Sequence, residues 1–402
     1  MSDSADSLPQ VTLKPRRALP FFSGHPWVFA GAIARTDGAP AVGAEVRVHA
    51  ADGKFIARGL YNPDSNIRVR LYSWQRGTPI DTALFAERLD AAIDLRRRLF
   101  PDRPEWNACR LVYSEADGMS GLTLDRYGDH LLLQWTSRAL ALREAEIIPL
   151  LEERLHPAGI WRRTEKGIGE QEGLAVSDER IAGSEPPRPL FIEENGLRYG
   201  VDVVAGQKTG YYFDQRDNRA AAARYLSGRV LDVFCYTGAF GLNALKHGRT
   251  EQVLAVDSSE TALNLARNNA ELNSLADHIR FEHGSAAPTL ERLHAAGERF
   301  DGIVLDPPKM ARSRGGIDRA LKGYRRLNQL AVGLLSPGGI LVTCSCSGLV
   351  PRAAFEQMLA EVATESHRRI QILESRGAAA DHPVSVQCIE NDYLKCFICR
   401  VV

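Results

Sequence analysis

Apolar and polar positions divide the chain into three stretches. In the first, a two-residue alternation dominates. Val46-Arg47-Val48-His49 alternates, Ala51-Asp52-Gly53-Lys54 has the composition of a turn, and the strand resumes over 55–61, which together read as a hairpin. Asn62-Pro63-Asp64-Ser65 turns the chain again before a further alternating strand over 67–72. This spacing predicts a small all-β domain over residues 1–80. The second stretch, 81–188, mixes two periods: a helix over 81–100, strands over 111–114, 121–127 and 130–136, and a helix over 140–155. It reads as a small α+β domain without a catalytic constellation. The run Arg96-Arg97-Arg98 is expected to straddle a solvated face. Residues 182–189, rich in proline and small residues, are the expected linker into the third stretch.

That third stretch, 189–402, alternates short apolar runs with 3.6-period segments. Strands are expected over 229–234, 252–256, 279–283, 300–305, 339–342, 369–374 and 393–402. Between them lie helices over 242–247, over 260–273 (capped by Ser258 or Ser259) and over 320–335, the last closed by Ser336-Pro337-Gly338-Gly339. Strands alternating with helices predict a doubly wound, mostly parallel α/β sheet of the Rossmann-like type.

Ligands of such sheets bind outside the carboxyl ends of the strands, which makes the residues after each strand informative. The first strand leads into Cys235-Tyr236-Thr237-Gly238-Ala239-Phe240-Gly241. The second ends in Asp257, placed to take ribose hydroxyls. The turn lacks the GxGxxG pattern that fits a pyrophosphate. That favours a cofactor with adenosine but no phosphate, such as S-adenosylmethionine. Two later strands end in Asp306-Pro307-Pro308-Lys309 and in Thr343-Cys344-Ser345-Cys346-Ser347-Gly348. These should bring an acid, a lysine and a thiol to one crevice, which suits addition to an electron-poor ring.

The stretch from Gly206 to Arg219 (GQKTGYYFDQRDNR) resembles the signature that opens the catalytic domain of the RlmI family. Members of that family are S-adenosylmethionine-dependent methyltransferases that make 5-methylcytidine in large-subunit ribosomal RNA. Phe234-Cys235-Tyr236-Thr237-Gly238, Asp306-Pro307-Pro308-Lys309, Ser345-Cys346-Ser347-Gly348-Leu349, Asp381-His382-Pro383 and Tyr393-Leu394-Lys395 match in order and spacing. The resemblance spans nearly the whole chain. It implies an N-terminal PUA domain, a middle α+β domain and a C-terminal methyltransferase domain over 189–402. It makes Cys346 the nucleophile and sets Asp306 against the cytosine ring, with Lys309 beside it. Cys344 becomes a packing residue. Gln215, Arg216, Phe234, Tyr236, Thr237, Gly238, Asp257, Ser258, Ser285 and Asp306 become the cofactor site. The family usually has an acid near the adenine amino group; here His283-Gly284-Ser285 leaves that task to Ser285 or a backbone carbonyl. Lys309 stands where other cytosine-C5 families carry a second cysteine.

The chemistry is set by the substrate. Carbon 5 of cytosine is a poor nucleophile until a thiolate adds at carbon 6. Asp306 is the candidate acid at N3. Asp306, Lys309 and water are each candidates for the base that removes the C5 proton. Lys208, Lys309 and Lys395 are candidates to favour the thiolate. Two other readings compete. One is an RNA base N-methyltransferase of the same fold, for which the Asp-Pro-Pro motif is the precedent. The other is a non-catalytic RNA-binding ribosome assembly factor, favoured only by the altered Ser285 position.

Composition adjusts this picture in three places. Cys344-x-Cys346 and Cys396-x-x-Cys399 can be drawn as a zinc site. Both pairs lie in or beside predicted strands, however, and the family binds no zinc, so no metal is expected. Seven cysteines, an odd number, and an acidic polar start (Met1 to Asp6, expected to fray) suit a reducing cytoplasmic protein. No apolar run approaches membrane length, so no membrane partner is expected. The net charge is zero, so affinity for ribosomal RNA, of the large subunit or its precursor, must come from local patches. Residues 1–80 hold ten Lys/Arg against six Asp/Glu. Lys14, Arg16, Arg17, Arg68 and Arg70 are the candidate RNA contacts, with Trp74 and Arg76 close behind, Trp161-Arg162-Arg163 repeating the character, and Lys208 added from the catalytic signature. The family resemblance also allows a homodimer.

Overall fold

The computed structural model describes residues 8–101, 104–164, 166–204, 210–311 and 313–402. The acidic start of the chain and Lys208 therefore lie outside the described residues. Two compact units are present. One holds the chain up to Leu190 with Asp202–Tyr211 and Asp381–Asn391; the other holds Phe191–Val201, Tyr212–Ala380 and Asp392–Val402.

In the first unit the predicted hairpin forms from strands Glu45–His49 and Phe55–Tyr61, with Val46 opposite Gly59 and Val48 opposite Ala57. The alternation buries Val46 and Val48 completely, against Val11, Val28 and Val69. With Gln10–Leu13, Trp27–Phe29, Ile33–Thr36 and Ile67–Ser73 these strands make a six-stranded sheet. A five-stranded sheet comes next, and helices Thr82–Leu99 and Glu144–Leu155 contribute to its core. Asp81 caps the first helix, its carboxylate accepting the Leu84 N–H at 3.0 Å.

Three expectations need correction here. The helix expected over 140–155 is two, Arg138–Ala141 and Glu144–Leu155. Arg143 leaves the helical region, and Glu144 and Glu146 open a new first turn, where the helix dipole favours acids. The expected linker begins inside a strand, Asp178–Gly183. The arginine run does not share one face. At about 100° per residue three consecutive side chains diverge. Arg98 is exposed and pairs with Asp94, and Arg97 lies over the Trp106 ring, but Arg96 is wholly buried. Its guanidinium holds Asp117 at 2.6 Å and donates to the carbonyls of Arg110 (2.9 Å) and Asp381 (2.7 Å). The Asp381 carboxylate in turn accepts the Arg110 N–H at 3.0 Å, so the Asp-His-Pro motif is bound into this unit.

The second unit carries a seven-stranded sheet: β1 (Ser227–Val233), β2 (Arg249–Asp257), β3 (Ile279–His283), β4 (Phe300–Leu305), β5 (Leu335–Ser345), β6 (Ile370–Arg376) and β7 (Lys395–Val401). Their order is β3-β2-β1-β4-β5-β7-β6. β1 to β5 pair in parallel, while β7 runs antiparallel to β5 and β6. The order reverses between β1 and β4, which makes their carboxyl ends the expected ligand position. Helices α1 (Arg216–Ala223), α2 (Ala239–His247), α3 (Glu260–Leu272), α4 (Ala286–Ala295), α5 (Ile317–Leu334) and α6 (Arg352–Glu365) connect the strands. The Ser336-Pro337-Gly338-Gly339 segment, expected to stop α5, already belongs to β5. A register shift against β4 absorbs the proline, which cannot donate to the ladder.

The buried arginine and its exposed neighbour give a direct contrast. Arg96→Met strands the Asp117 carboxylate and should cost about 3–5 kcal/mol. Arg98→Ala should cost less than about 0.5 kcal/mol. Urea unfolding of the two variants measures both.

Candidate active site

β4 and β5 end side by side, with Leu305 in register with Thr343. The two motif loops beyond them are joined through one side chain, Ser347, which is fully buried. Its hydroxyl accepts the backbone N–H of Met310 at 3.0 Å and of Ala311 at 3.1 Å. With both acceptor sites used, its proton goes to the Tyr324 hydroxyl of α5, 2.9 Å away. The neighbouring Cys346 Sγ lies 3.8 Å from the Pro307 carbonyl. Of the seven cysteines, Cys346 alone is not buried. Cys344 is fully buried opposite Cys396 on β7, and that thiol neighbour together with burial pushes its own thiol up, as an inert packing residue requires.

Asp306 comes directly after β4. Its Oδ1 accepts from Gln215 Nε2 at 3.0 Å, and Gln215 Oε1 accepts from Asn218 Nδ2 at 2.7 Å. Gln215 is 3% exposed, so its amide orients Asp306. Arg216 is also turned inward, over the Phe213 ring and 3.7 Å from Glu194. Tyr212, from the same segment, packs edge-on against Tyr236 with ring centroids 5.2 Å apart. Burial first, then the neighbouring Tyr236, Asp214, Asp306 and Cys346, push the Tyr212 hydroxyl up, keeping it a proton donor. Lys309 is exposed.

The turn after β1 is strained. Phe234 (φ 66°), Tyr236 (φ 50°) and Gly238 (φ 81°) all sit in the left-handed region. For the two aromatic residues that costs of order 1–3 kcal/mol each. A glycine at 238 incurs no such strain, and its φ explains it better than crowding, because an added Cβ would meet Ala266 and Phe281 only at ordinary contact distance. The strain is held by hydrogen bonds. Phe234 and Cys235 donate to the Val256 carbonyl (2.9 and 3.1 Å), and Tyr236 donates to Asp257 Oδ2 at 2.9 Å. Asp257 Oδ1 accepts the Ser259 N–H at 2.9 Å, while Ser259, not Ser258, caps α3. Ser258 and Ser285 are exposed at the ends of β2 and β3. Ser285 occupies the N-cap of α4 without a side-chain bond to it.

Asp232, inside β1, was missed by the sequence reading, although an acid within an apolar strand is a signal. It is 1% exposed; Oδ2 accepts the Gly241 N–H at 3.0 Å, and Oδ1 has no partner. Burial, with Asp306 and Asp257 adding to it, pushes its carboxyl up to about 7. Three carboxylates within reach of one another, and the orphaned hydroxyl of buried Thr237, make a site for a cationic, hydroxyl-bearing ligand. S-adenosylmethionine, with its sulfonium, ammonium and ribose, fits. Phe234, Tyr236, Thr237, Gly238 and Asp257 are the residues that would hold it.

The basic candidates divide. Lys14, Arg16 and Arg17 are exposed and Arg68 is half-exposed. Arg70 is 5% exposed and turned inward to Glu115 (3.0 Å), Glu172 (3.3 Å) and the Thr136 carbonyl (3.0 Å). The Trp161-Arg162-Arg163 run is likewise engaged by Asp178, Glu144 and Glu179. These arginines are engaged by acids of their own unit. Among the described residues one group of three metal-type donors lies together, His25, Cys388 and Glu390. His25 Nδ1 accepts the Trp27 N–H, so its proton sits on Nε2 and faces Glu390 at 3.4 Å. Cys388 Sγ lies 3.5 Å from Glu390 Oε2.

A PUA-like domain profile matches residues 11–74, and an S-adenosylmethionine-dependent methyltransferase profile matches residues 176–383. Proteins named ribosomal RNA large subunit methyltransferase I match nearly end to end. The one from Tolumonas auensis is 42% identical over 98% of this chain and 99% of its own. The one from Erwinia tasmaniensis is 41% identical over 94% and 96%. The chain belongs to that family. The PUA-like profile falls on the six-stranded sheet and the methyltransferase profile on the seven-stranded sheet, and the chain is an S-adenosylmethionine-dependent methyltransferase. A Streptococcus mutans protein described as such a methyltransferase superposes with a TM-score of 0.84 at 20% identity, covering 97% of this chain and 99% of its own. At that identity the likeness speaks for the fold. Among the described residues no helix is long and apolar enough to cross a membrane.

Two outcomes are expected of this family member. Asp232 binds its proton more tightly when folded, so between about pH 4 and pH 7 the native state holds more protons than the unfolded chain. Stability therefore falls as pH rises through that window, by on the order of 4 kcal/mol. Asp232→Asn, which keeps the acceptor for Gly241, should flatten the curve measured by urea unfolding at pH 4.5 and 7.5. Ser347→Ala leaves the N–H groups of Met310 and Ala311 without their acceptor and loosens Cys346. Turnover should drop roughly 10–100-fold while calorimetric cofactor affinity is kept.

Proposed function

We propose that this methyltransferase acts on C5 of a cytosine in large-subunit ribosomal RNA, through a covalent bond from Cys346 to C6. The observation that carries this reading is Cys346 itself: the one cysteine that is not buried, at the end of β5, beside the Asp306 loop. An N-methyltransferase has no use for such a thiol. The names of the relatives support the substrate, and the PUA-like domain supports RNA binding. The exposed Lys14, Arg16 and Arg17, with Arg68, are the candidate phosphate contacts. We place the domain boundaries at 1–80, 81–188 and 189–402, and the reaction in the cytoplasm, where six buried cysteines are at home.

The thiolate of Cys346 adds to C6, and Asp306, held by Gln215, gives a proton to N3, so the ring gains no net negative charge and C5 becomes enamine-like. Bound S-adenosylmethionine supplies an electrophilic methyl group. Once C5 carries the methyl group, loss of the C5 proton lets Cys346 leave as a thiolate and N3 gives up the proton it received; Asp306, Lys309 and water are the candidate bases for the C5 proton. The Tyr212 hydroxyl, kept protonated, is a further donor in electrostatic reach of Asp306 and Cys346.

Nucleoside mass spectrometry of unmodified large-subunit ribosomal RNA, incubated with the protein and S-adenosylmethionine, tests this directly. New 5-methylcytidine is expected, and Cys346→Ala should reduce it by at least about 10³-fold. A methylated nitrogen that survives Cys346→Ala would sink the thiol mechanism.

A further inference from the structure

We infer that Lys395 is the counter-ion that poises Cys346 as a thiolate, an inference that rests on the nucleophilic role proposed for Cys346. Lys309 is exposed, whereas Lys395 is 2% exposed at the start of β7. The β5–β7 register sets it opposite Ser345, next to Cys346 in the chain. Its Nζ donates to the carbonyl of Ser347 at 2.7 Å and of Tyr393 at 2.8 Å. It thus grips the strand end on both sides of Cys346.

Two carbonyls use two of the three N–H donors of an ammonium. Among the described residues no carboxylate pairs with Lys395 within ion-pair distance. Asp392 is the nearest acid to act on it, and that acid is shared with Arg352 at 3.9 Å. A buried cation held only by neutral carbonyls is costly unless an anion is formed beside it. Burial accordingly pushes Lys395 down to about 8, with Asp392 and Cys346 acting the other way. Among the described residues, Tyr212 and Tyr324 also sense Cys346, and both are pushed towards the neutral phenol. Asp306, which also faces Tyr212, opposes ionisation of the thiol. The present contact of Sγ with the Pro307 carbonyl is one that only a thiol makes. When the proton leaves, that contact is lost and the free N–H of Lys395 is the compensating donor. Lys395 is a positioning residue in this account, acting through the sulfur.

Thiol titration separates this from a merely structural lysine. The rate of iodoacetamide alkylation at Cys346, followed by peptide mass spectrometry from pH 5 to 10, should have its inflection about one pH unit or more higher in Lys395→Met than in the native protein. At pH 7 that means about tenfold slower labelling. Lys395→Arg, which keeps the charge, should recover much of the rate, and it also serves if the Met variant folds poorly. Superimposable curves for native protein and both variants would overturn the inference. The readout needs no RNA: separated curves without 5-methylcytidine formation would uphold the ion pair and remove the cytosine reading, and the reverse pattern would do the opposite.

Discussion

A single buried hydroxyl holds the reactive end of the sheet together. Ser347 receives two backbone N–H groups from the loop after β4 and gives its proton to Tyr324 on α5, so its hydrogen-bonding capacity is full. The need is visible in the loop's sequence. Pro307 and Pro308 have no N–H to donate, so the segment after Asp306 has few ways to anchor itself. Met310 and Ala311 provide the first free donors past Lys309, and both go to the same oxygen. Cys346, one residue before Ser347, inherits its position from this knot.

The cofactor side is organised by a different constraint, backbone strain held in place by acids. Phe234 and Tyr236 take a conformation that L-residues avoid, and the Val256 carbonyl and Asp257 carboxylate keep them there. Asp257 therefore does two jobs, shaping the turn with one oxygen and presenting a partly exposed carboxylate at the end of β2. Asp232 supports the same turn from beneath through Gly241. The mutual repulsion of these acids with Asp306 is a cost that a cationic ligand would relieve, which couples binding to the electrostatics of the fold.

Much of this was legible in the sequence because it is local. β3 and β4 begin and end where their apolar runs do, and α3 and α5 follow their 3.6 periods. The residues after the strands were identifiable from topology alone. What escaped was long-range pairing. Arg70 looked like an RNA contact, but its partners Glu115 and Glu172 lie 45 and 102 positions away. Arg96 reaches Asp381 across 285 positions. A charge run announces charge, not exposure, and a chain with 50 basic and 50 acidic residues has ample means to pair its arginines internally. Ser347 escaped for a related reason: nothing in Ser-Cys-Ser-Gly says which serine is a clamp.

The antiparallel β7 joins these themes. Residues 396–399, Cys-Phe-Ile-Cys, are fully buried, so the strand has apolar side chains on both faces and little alternation to fix its register. A slip of one residue would exchange its faces at small hydrophobic cost. Lys395 opposes that freedom, because the observed register lets its ammonium reach the Ser347 carbonyl; a slip would take that acceptor away and leave the buried charge only the Tyr393 carbonyl of its own segment. The same charge that favours this register stands beside Cys346. A residue costly to bury is kept at the one place where its cost both specifies the pairing of the strands and favours the ionised form of the sulfur.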